Sequence, residues 1–343
     1  MIDIAIVGGG PGGLMTSWHL TRKLQHESNI TIFEATDRLG GKIVTRRFDK
    51  MDALYEAGVA EIYGYSMLGP DPLRELIDGF GLKTVPMDSE TVVMDGHVMV
   101  GLDGLKKFYG AKTANAVKAF RKTCGAMLSP AQYYEGVGKE DNSHPWTNLN
   151  CQDLLEKEVD DETARKFFKI AARSDIASEP HLTNGLNGLK NFLMDLDGYI
   201  DLYSIVGGNQ SLIDKLVETN THKVELESRV LRCGRAENGR YHLHIQHGGK
   251  VTVREFDMVV FCLPHNWLCT VEFDGEKLQK ALVRHVAHFD RPAHYLRITL
   301  LFDKKIWEPY VTESWWMSDT FGGCCVYIEN TRHSYPNGAG ALG

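Results

Sequence analysis

The sequence has no apolar run approaching the roughly 18–20 residues that a membrane-spanning helix needs, so no such helix is expected. It lacks a basic start followed by an apolar core and a small-residue cleavage site. It opens directly on Ile2-Asp3-Ile4-Ala5-Ile6-Val7, so no secretory signal peptide is expected. It lacks a basic surplus: 38 Lys and Arg stand against 45 Asp and Glu. That balance argues against nucleic acid as a partner, because phosphate backbones select a basic face. The short pairs Arg46-Arg47 and Lys304-Lys305 read as solvated surface.

There is also no CxxC pair among the seven cysteines, which removes the usual zinc and dithiol-redox readings. The adjacent Cys324 and Cys325 cannot form an ordinary disulfide without strain. Free thiols in a reducing cytoplasm are the expectation. His242, His244 and His247 alternate along a strand-like run, and the first two would share a face. No cysteine or acid close in sequence completes a ligand set, so exposed strand histidines, and no metal, are expected. No internal repeat or low-complexity tract is present.

What is present begins with a βαβ pattern. The apolar run Ile2–Val7 is followed by Gly8-Gly9-Gly10-Pro11-Gly12-Gly13, then by Leu14, Trp18 and Leu24 at near-helical spacing as far as about Gln25. A second strand, Ile30-Thr31-Ile32-Phe33, ends at Glu34. The glycines fit G-x-G-x-x-G, and each has a physical task. Gly8 turns the chain off the strand, Gly10 admits a pyrophosphate where a Cβ would clash, and Gly13 lets helix pack closely on strand. The helix start, with Pro11 and Gly12, presents free N–H groups to phosphates. Glu34 lies 21 residues beyond Gly13 and can accept hydrogen bonds from ribose hydroxyls.

The remaining pattern places further elements. Asp95-Gly96 reads as a hairpin turn, and Asn238-Gly239 as a turn between strands Arg229–Cys233 and Tyr241–Ile245. Helix formers dominate from about Leu105 to Leu196, with one helix over Asp160–Ala172. A helix from Ser211 to about Val217, a strand Asp257–Cys262 and a strand Tyr295–Phe302 follow.

The run Glu34-Ala35-Thr36-Asp37-Arg38-Leu39-Gly40-Gly41-Lys42 resembles the E-A-x-x-R-x-G-G-[RK] extension of the flavin amine oxidase superfamily. That superfamily includes monoamine, polyamine and L-amino-acid oxidases and the phytoene desaturase and protoporphyrinogen oxidase types. Glu56 to Gly64 is similar to the segment that runs along the flavin ring in the family, which implicates Gly58, Val59, Ala60 and Glu61. Gly207-Gly208 looks like the opening of the returning half of the FAD domain. Val230 falls where the family holds the adenine through backbone groups, and Phe261-Cys262-Leu263-Pro264 matches a conserved-type strand end of the motif set.

The resemblance implies FAD as cofactor and an α/β fold: an FAD/NAD(P)-binding Rossmann-like domain with a second substrate domain of mixed sheet plus helical insertion. The expected segments are 1–85 and 200–270 for the FAD domain, and 86–199 and 271–343 for the substrate domain. It implies an FAD-dependent oxidoreductase that oxidises an amine, a small-molecule substrate, by hydride transfer. A C–C desaturase and a non-catalytic flavoprotein stand as alternatives. The assembly is open, a homodimer included.

At the reacting centre the sequence departs from the family. Ten residues before Trp307, where many amine oxidases carry lysine, stands Arg297, which stays protonated. Arg297 is the catalytic candidate, to position a water or an anionic group, with a salt-bridged strand residue as the other reading. Glu61 stands where L-amino-acid oxidases place a carboxylate-clamping arginine, which suits a cationic amine instead. Tyr63, Trp315, Trp316 and Tyr327 are candidates for an aromatic wall. The family's last FAD-binding segment has no counterpart before Gly343. Truncation is the favoured reading, with a second chain or weak flavin binding as the others.

Overall fold

The computed structural model describes residues 1–24, 27–64, 69–135, 145–194, 196, 198–288 and 295–343. The chain divides into two compact units, the first Met1–Thr45 with Asn209–Pro292 and the second Arg46–Gly208 with Ala293–Gly343.

The first unit is built on a parallel sheet in the order Lys223–Glu225, Ser28–Phe33, Ile2–Val7, Met258–Phe261. Ile4, Ala5 and Ile6 have no exposure, and Ile32 none either, which is the continuous apolar run expected of a strand covered on both faces. The helix Pro11–Leu24 buries Gly13, Leu14 and Ser17. It is described as far as Leu24, and the expected end near Gln25 lies outside the described residues. A second sheet runs Lys250–Phe256, Tyr241–His247, Arg229–Arg235, Glu272–Phe273. Its Lys250–Phe256 strand goes beyond the sequence expectation, although Gly248 and Gly249, both at positive φ, make a turn residue pair that announces it. Ala5, Val7 and Phe33 pack with Val230, Leu243, Ile245 and Phe256 in one cluster, so the two sheets of this unit share a core.

The second unit carries the helices Gly101–Met127, Cys151–Glu158, Glu162–Ile176 and Gly185–Met194, which confirms the helical stretch read from the sequence. Gly110 breaks the first of these at φ 88 and ψ 168, a conformation open to glycine. The Asp161 carboxylate caps Glu162–Ile176 by accepting from the Ala164 N–H at 3.0 Å, so the helix starts two residues later than Asp160. A sheet in the order Cys324–Tyr327, Trp315–Ser318, Thr91–Met94, His97–Val100 lies in the same unit. Its Asp95-Gly96 hairpin turn has φ 54 and 76, the two positive values that a type I′ turn requires.

Strand pairing is shorter than expected near residue 300. Only Leu300–Phe302 is a strand, because only that stretch meets Gly340–Leu342. Leu296 and Ile298 are exposed. The compact units also divide the chain at other residues than the expected segments.

Candidate functional site

The first unit gathers most of the glycines and acids singled out in the sequence. The Gly8 N–H donates to the Phe33 carbonyl at 2.8 Å, and the Gly40 N–H to the Gly9 carbonyl at 2.9 Å. The turn after the first strand is thus tied to the turn after the second. A Cβ at Gly13 would sit 1.9 Å from the Gly8 carbonyl oxygen, so that glycine is forced by packing. A Cβ at Gly10 would meet nothing closer than the Gly41 Cα at 3.8 Å. Gly10 therefore faces open space, and its missing side chain leaves room for a ligand rather than for the protein.

Glu34 closes the second strand. Its Oε2 accepts from the Gly9 N–H at 2.7 Å, and its Oε1 accepts from the Thr36 N–H at 2.9 Å and the Thr36 hydroxyl at 2.8 Å. A carboxylate has about four acceptor positions, so one remains for a sugar hydroxyl. Gly9 and Thr36 are positioning residues that the sequence does not mark, since a backbone N–H leaves no signature in residue type. Arg38 is turned back on its own loop. It donates to the Leu39 carbonyl at 3.3 Å and the Gly41 carbonyl at 2.7 Å, which holds Gly40-Gly41 in shape. Gly40 and Gly41 have φ of 102 and 53, and Lys42 is exposed beside them.

Beside Glu34 lies a cavity of about 200 Å³. Gly8, Glu34, Ala35, Val230 and Leu263, all named from the sequence, line it; Ser228, Trp267 and Thr270, which were not, line it too. The Val230 side chain is buried in the core. The Arg229–Arg235 strand has an irregular register between Val230 and Arg232, and its parallel neighbour Glu272–Phe273 begins only at Arg232. Leu231, next to Val230, is the residue left without a register partner. The open face at Gly10, the remaining acceptor position of Glu34 and this cavity fit a dinucleotide: diphosphate at the helix start, ribose at Glu34, base in the cavity.

His242 has an acid partner in space that its local sequence does not show. Its Nε2 lies 3.1 Å from the Asp274 Oδ2, but Asp274 also pairs with Arg232, so this is an ion-pair cluster. Among the described residues no group of three or more metal-ligating side chains converges.

Gly58, Val59, Ala60 and Glu61 belong to the second unit and lead into the strand Ile62–Gly64. They are held by a buried ionic cluster. Glu329 accepts from Arg297 Nη2 at 2.5 Å, from Arg332 Nη2 at 2.9 Å and Nε at 3.3 Å, and from the Glu56 N–H at 3.0 Å. Arg332 Nη1 donates to the Ala60 carbonyl and, at 3.4 Å, to the Ser204 hydroxyl. The His333 Nε2 lies 3.4 Å from Glu56 Oε1 and 3.6 Å from Glu329 Oε2. Burial opposes ionisation of Glu329, but Arg332 and Arg297 outweigh it and hold the carboxyl below its ordinary range. Arg297 is therefore engaged by a buried acid, with its guanidinium also over the Tyr327 ring at 5.1 Å. It lies outside a strand, which corrects the strand half of the salt-bridge reading.

Glu61 differs from Glu329. Its Oε2 is shielded from solvent and has no hydrogen-bond partner. Burial raises its pKa above the carboxylate range, against the lowering influence of Tyr327, Arg332, Arg297 and Tyr63. The Tyr63 phenol is pushed up by burial and then by Glu61 and Asp175, and Tyr327 is pushed up by burial, Cys325 and Glu61. Of the other wall candidates, Trp315 is buried and bonded through its indole N–H to the Met87 carbonyl at 3.2 Å. Trp316 packs with Trp307, Val311 and Ile328 instead.

A parallel sheet, a glycine turn at a helix start and an acid closing the next strand define a dinucleotide-binding α/β protein. The chain belongs to the flavin containing amine oxidoreductase family, whose description it matches over residues 11–342. FAD is the cofactor that this family implies. Among curated relatives, flavin-containing amine oxidase A of Bos taurus is 25% identical over 260 residues, covering 67% of this chain and 44% of its own length. Putrescine oxidase of Kocuria rosea is 25% identical over 314 residues, covering 82% of this chain and 61% of its own length. A solved putrescine oxidase variant superimposes with a TM-score of 0.76 at 19% identity, covering 99% of this chain and 74% of that one. At that identity the likeness shows the fold alone. The chain spans less than two thirds of the length of these curated relatives.

Proposed function

We propose that the protein takes part in the FAD-dependent oxidation of an amine. The observation that carries this reading is Glu61, a half-buried acid whose shielded Oε2 has no hydrogen-bond partner and which lies among tyrosines. Burial makes such an acid costly to ionise, and a ligand cation at its unpartnered oxygen would relieve that cost. A C–C desaturase acting on an apolar chain has no use for such a group, so the amine is the favoured substrate. Bound FAD supplies the two-electron acceptor, taking hydride from the carbon next to nitrogen.

The chain's own residues do the rest. Gly8, Gly10, Pro11, Gly12 and Gly13 receive the diphosphate, with Gly40, Gly41 and Lys42 beside it and Arg38 shaping that loop. Glu34 receives the ribose, and Ala35, Val230 and Leu263 enclose the base. Glu61 recognises the protonated amine before it gives up a proton. Gly58, Val59 and Ala60 carry Glu61 and are fixed by Arg332 at the Ala60 carbonyl. Arg297 acts as a positioning residue through Glu329, which Arg332 shares. Seven cysteines without a disulfide suit a reducing compartment, and the cytoplasm is the proposed location.

Glu61→Gln tests the reading. Glu61 has a pKa raised on folding, so its favourable contribution to stability exists below the unfolded value and is lost as pH rises through the folded one. Above its raised pKa the ionised carboxylate is a burden, and there Glu61→Gln is expected to melt at or above the wild-type temperature. The same variant should raise KM for a primary alkylamine at least tenfold, with a smaller change in kcat. An unchanged KM would remove Glu61 from substrate recognition.

A further inference from the structure

One large apolar side chain of the first unit is exposed where the fold offers a cavity. Trp267 is 54% exposed, and it lines the cavity beside Glu34 and Val230. It sits on the single turn His265–Leu268, immediately after Pro264. That turn is fixed at both ends. The Trp267 N–H donates to the Pro264 carbonyl at 2.8 Å, and the Trp267 carbonyl accepts from the Thr270 N–H at 3.0 Å and the Thr270 hydroxyl at 2.8 Å. The Val271 N–H donates to the Leu268 carbonyl at 3.2 Å, and the Val271 side chain is buried. The indole is thus carried on an anchored backbone, and little order needs to be gained when it meets a ligand.

The cavity matches one planar base. About 200 Å³ is below the roughly 300–1,000 Å³ of sites that enclose a whole drug-sized ligand. Its walls combine apolar Val7, Phe33 and Leu263 with the Glu34 carboxylate at one edge and irregularly paired backbone at Val230. A flat heteroaromatic ring with edge donors and acceptors satisfies all three. Resting on one side against aliphatic walls, it would leave its other π-face to the exposed indole. Aromatic stacking on a nucleobase changes affinity by on the order of tenfold or more on alanine substitution, enough to decide whether a mononucleotide binds measurably.

We propose that Trp267 roofs the adenine cavity and gives this chain an adenylate-binding activity of its own, one that takes AMP without a flavin. The inference rests on the dinucleotide reading of this unit and adds to it a residue and a ligand. It means that free adenine nucleotides compete with FAD for loading, while riboflavin, which has no adenine, does not.

The test uses the full chain freed of flavin, with AMP as probe. The chain has six tryptophans, so the Trp267 signal is the difference between wild type and Trp267→Phe. Saturable quenching of tryptophan fluorescence by AMP is expected in the wild type, with a rise in melting temperature and no competition from riboflavin. Trp267→Phe should keep AMP binding, weakened severalfold, and lose most of the quenching. Trp267→Ala should weaken AMP at least tenfold by calorimetry while melting normally, because the side chain is half in solvent. Equal AMP affinity in wild type and Trp267→Ala would overturn the role of the indole. A wild type that takes up FAD but binds no AMP would overturn the adenylate activity and leave the flavin reading standing. A chain that binds neither would overturn both.

Discussion

Gly10→Val will leave the protein folded and empty of flavin, whereas Gly13→Ala will destabilise its first unit. The two glycines are three residues apart in one motif, and the structure separates their tasks. A Cβ at Gly13 would lie 1.9 Å from the Gly8 carbonyl oxygen, on backbone at the foot of the central strand. No rotamer change relieves that, so helix and strand must part. Overpacking of this kind costs about 1–3 kcal/mol and more where backbone is struck. A loss of about 3 kcal/mol lowers the melting temperature by on the order of 10 °C in a unit of this size. At Gly10 the nearest atom to an added Cβ is 3.8 Å away, which is ordinary contact with space around it. That space is where the diphosphate would run. Gly10→Val should therefore match wild type in thermal melting and far-ultraviolet circular dichroism and show no visible flavin absorbance after dialysis against FAD. A yellow, stoichiometrically loaded Gly10→Val protein would remove the glycine turn from the cofactor site.

That contrast also marks what can be read from sequence and what cannot. The glycine turn, its flanking strand and helix, and Glu34 are contiguous, and their spacing is set by local geometry. The Asp95-Gly96 and Asn238-Gly239 turns are legible for the same reason, because positive φ selects residue type. The motif positions already give Gly10 and Gly13 different tasks; what the sequence does not show is how closely each is surrounded, 3.8 Å to the nearest atom against 1.9 Å. Trp267 carries no motif, and it joins the cavity because the fourth parallel strand delivers its turn there. Arg297 was read by its distance from Trp307, which says nothing of what meets its guanidinium. Its partner Glu329 is 32 residues away, and Glu56, which meets the same carboxylate, is 273 residues from Glu329. Such a cluster leaves no period or spacing to find.

Glu329 is where the second of the largest effects is expected. Its side chain and that of Arg332 have no exposure, and Arg297 is 7% exposed. Two guanidiniums, one peptide N–H and the neighbourhood of His333 converge on one carboxylate. Replacing the whole cluster by apolar groups of equal volume could be neutral, but removing one member leaves its partners charged in a dry place. Breaking a buried pair in this way costs about 3–5 kcal/mol. Glu329→Leu should accordingly lower the melting temperature of the second unit by on the order of 10 °C, or prevent soluble expression. Glu329→Gln keeps the shape and some hydrogen bonds and loses the charge, so it should melt between the two. The pH dependence separates the charge from the packing. The pKa of Glu329 is depressed on folding by Arg332 and Arg297, so its contribution is present above the unfolded carboxylate value and lost as pH falls through the lower folded one. Wild type should lose stability steeply on acidification below about pH 4.5, and the gap between it and Glu329→Gln should close there. A gap that stayed constant from neutral to acid pH would assign the loss to shape instead. Arg332 also grips the Ala60 carbonyl next to Glu61, so Glu329→Gln should raise KM for an amine even at temperatures where the variant is fully folded. The buried ion pair would then position the Glu61 carboxylate that meets the amine as well as support the fold.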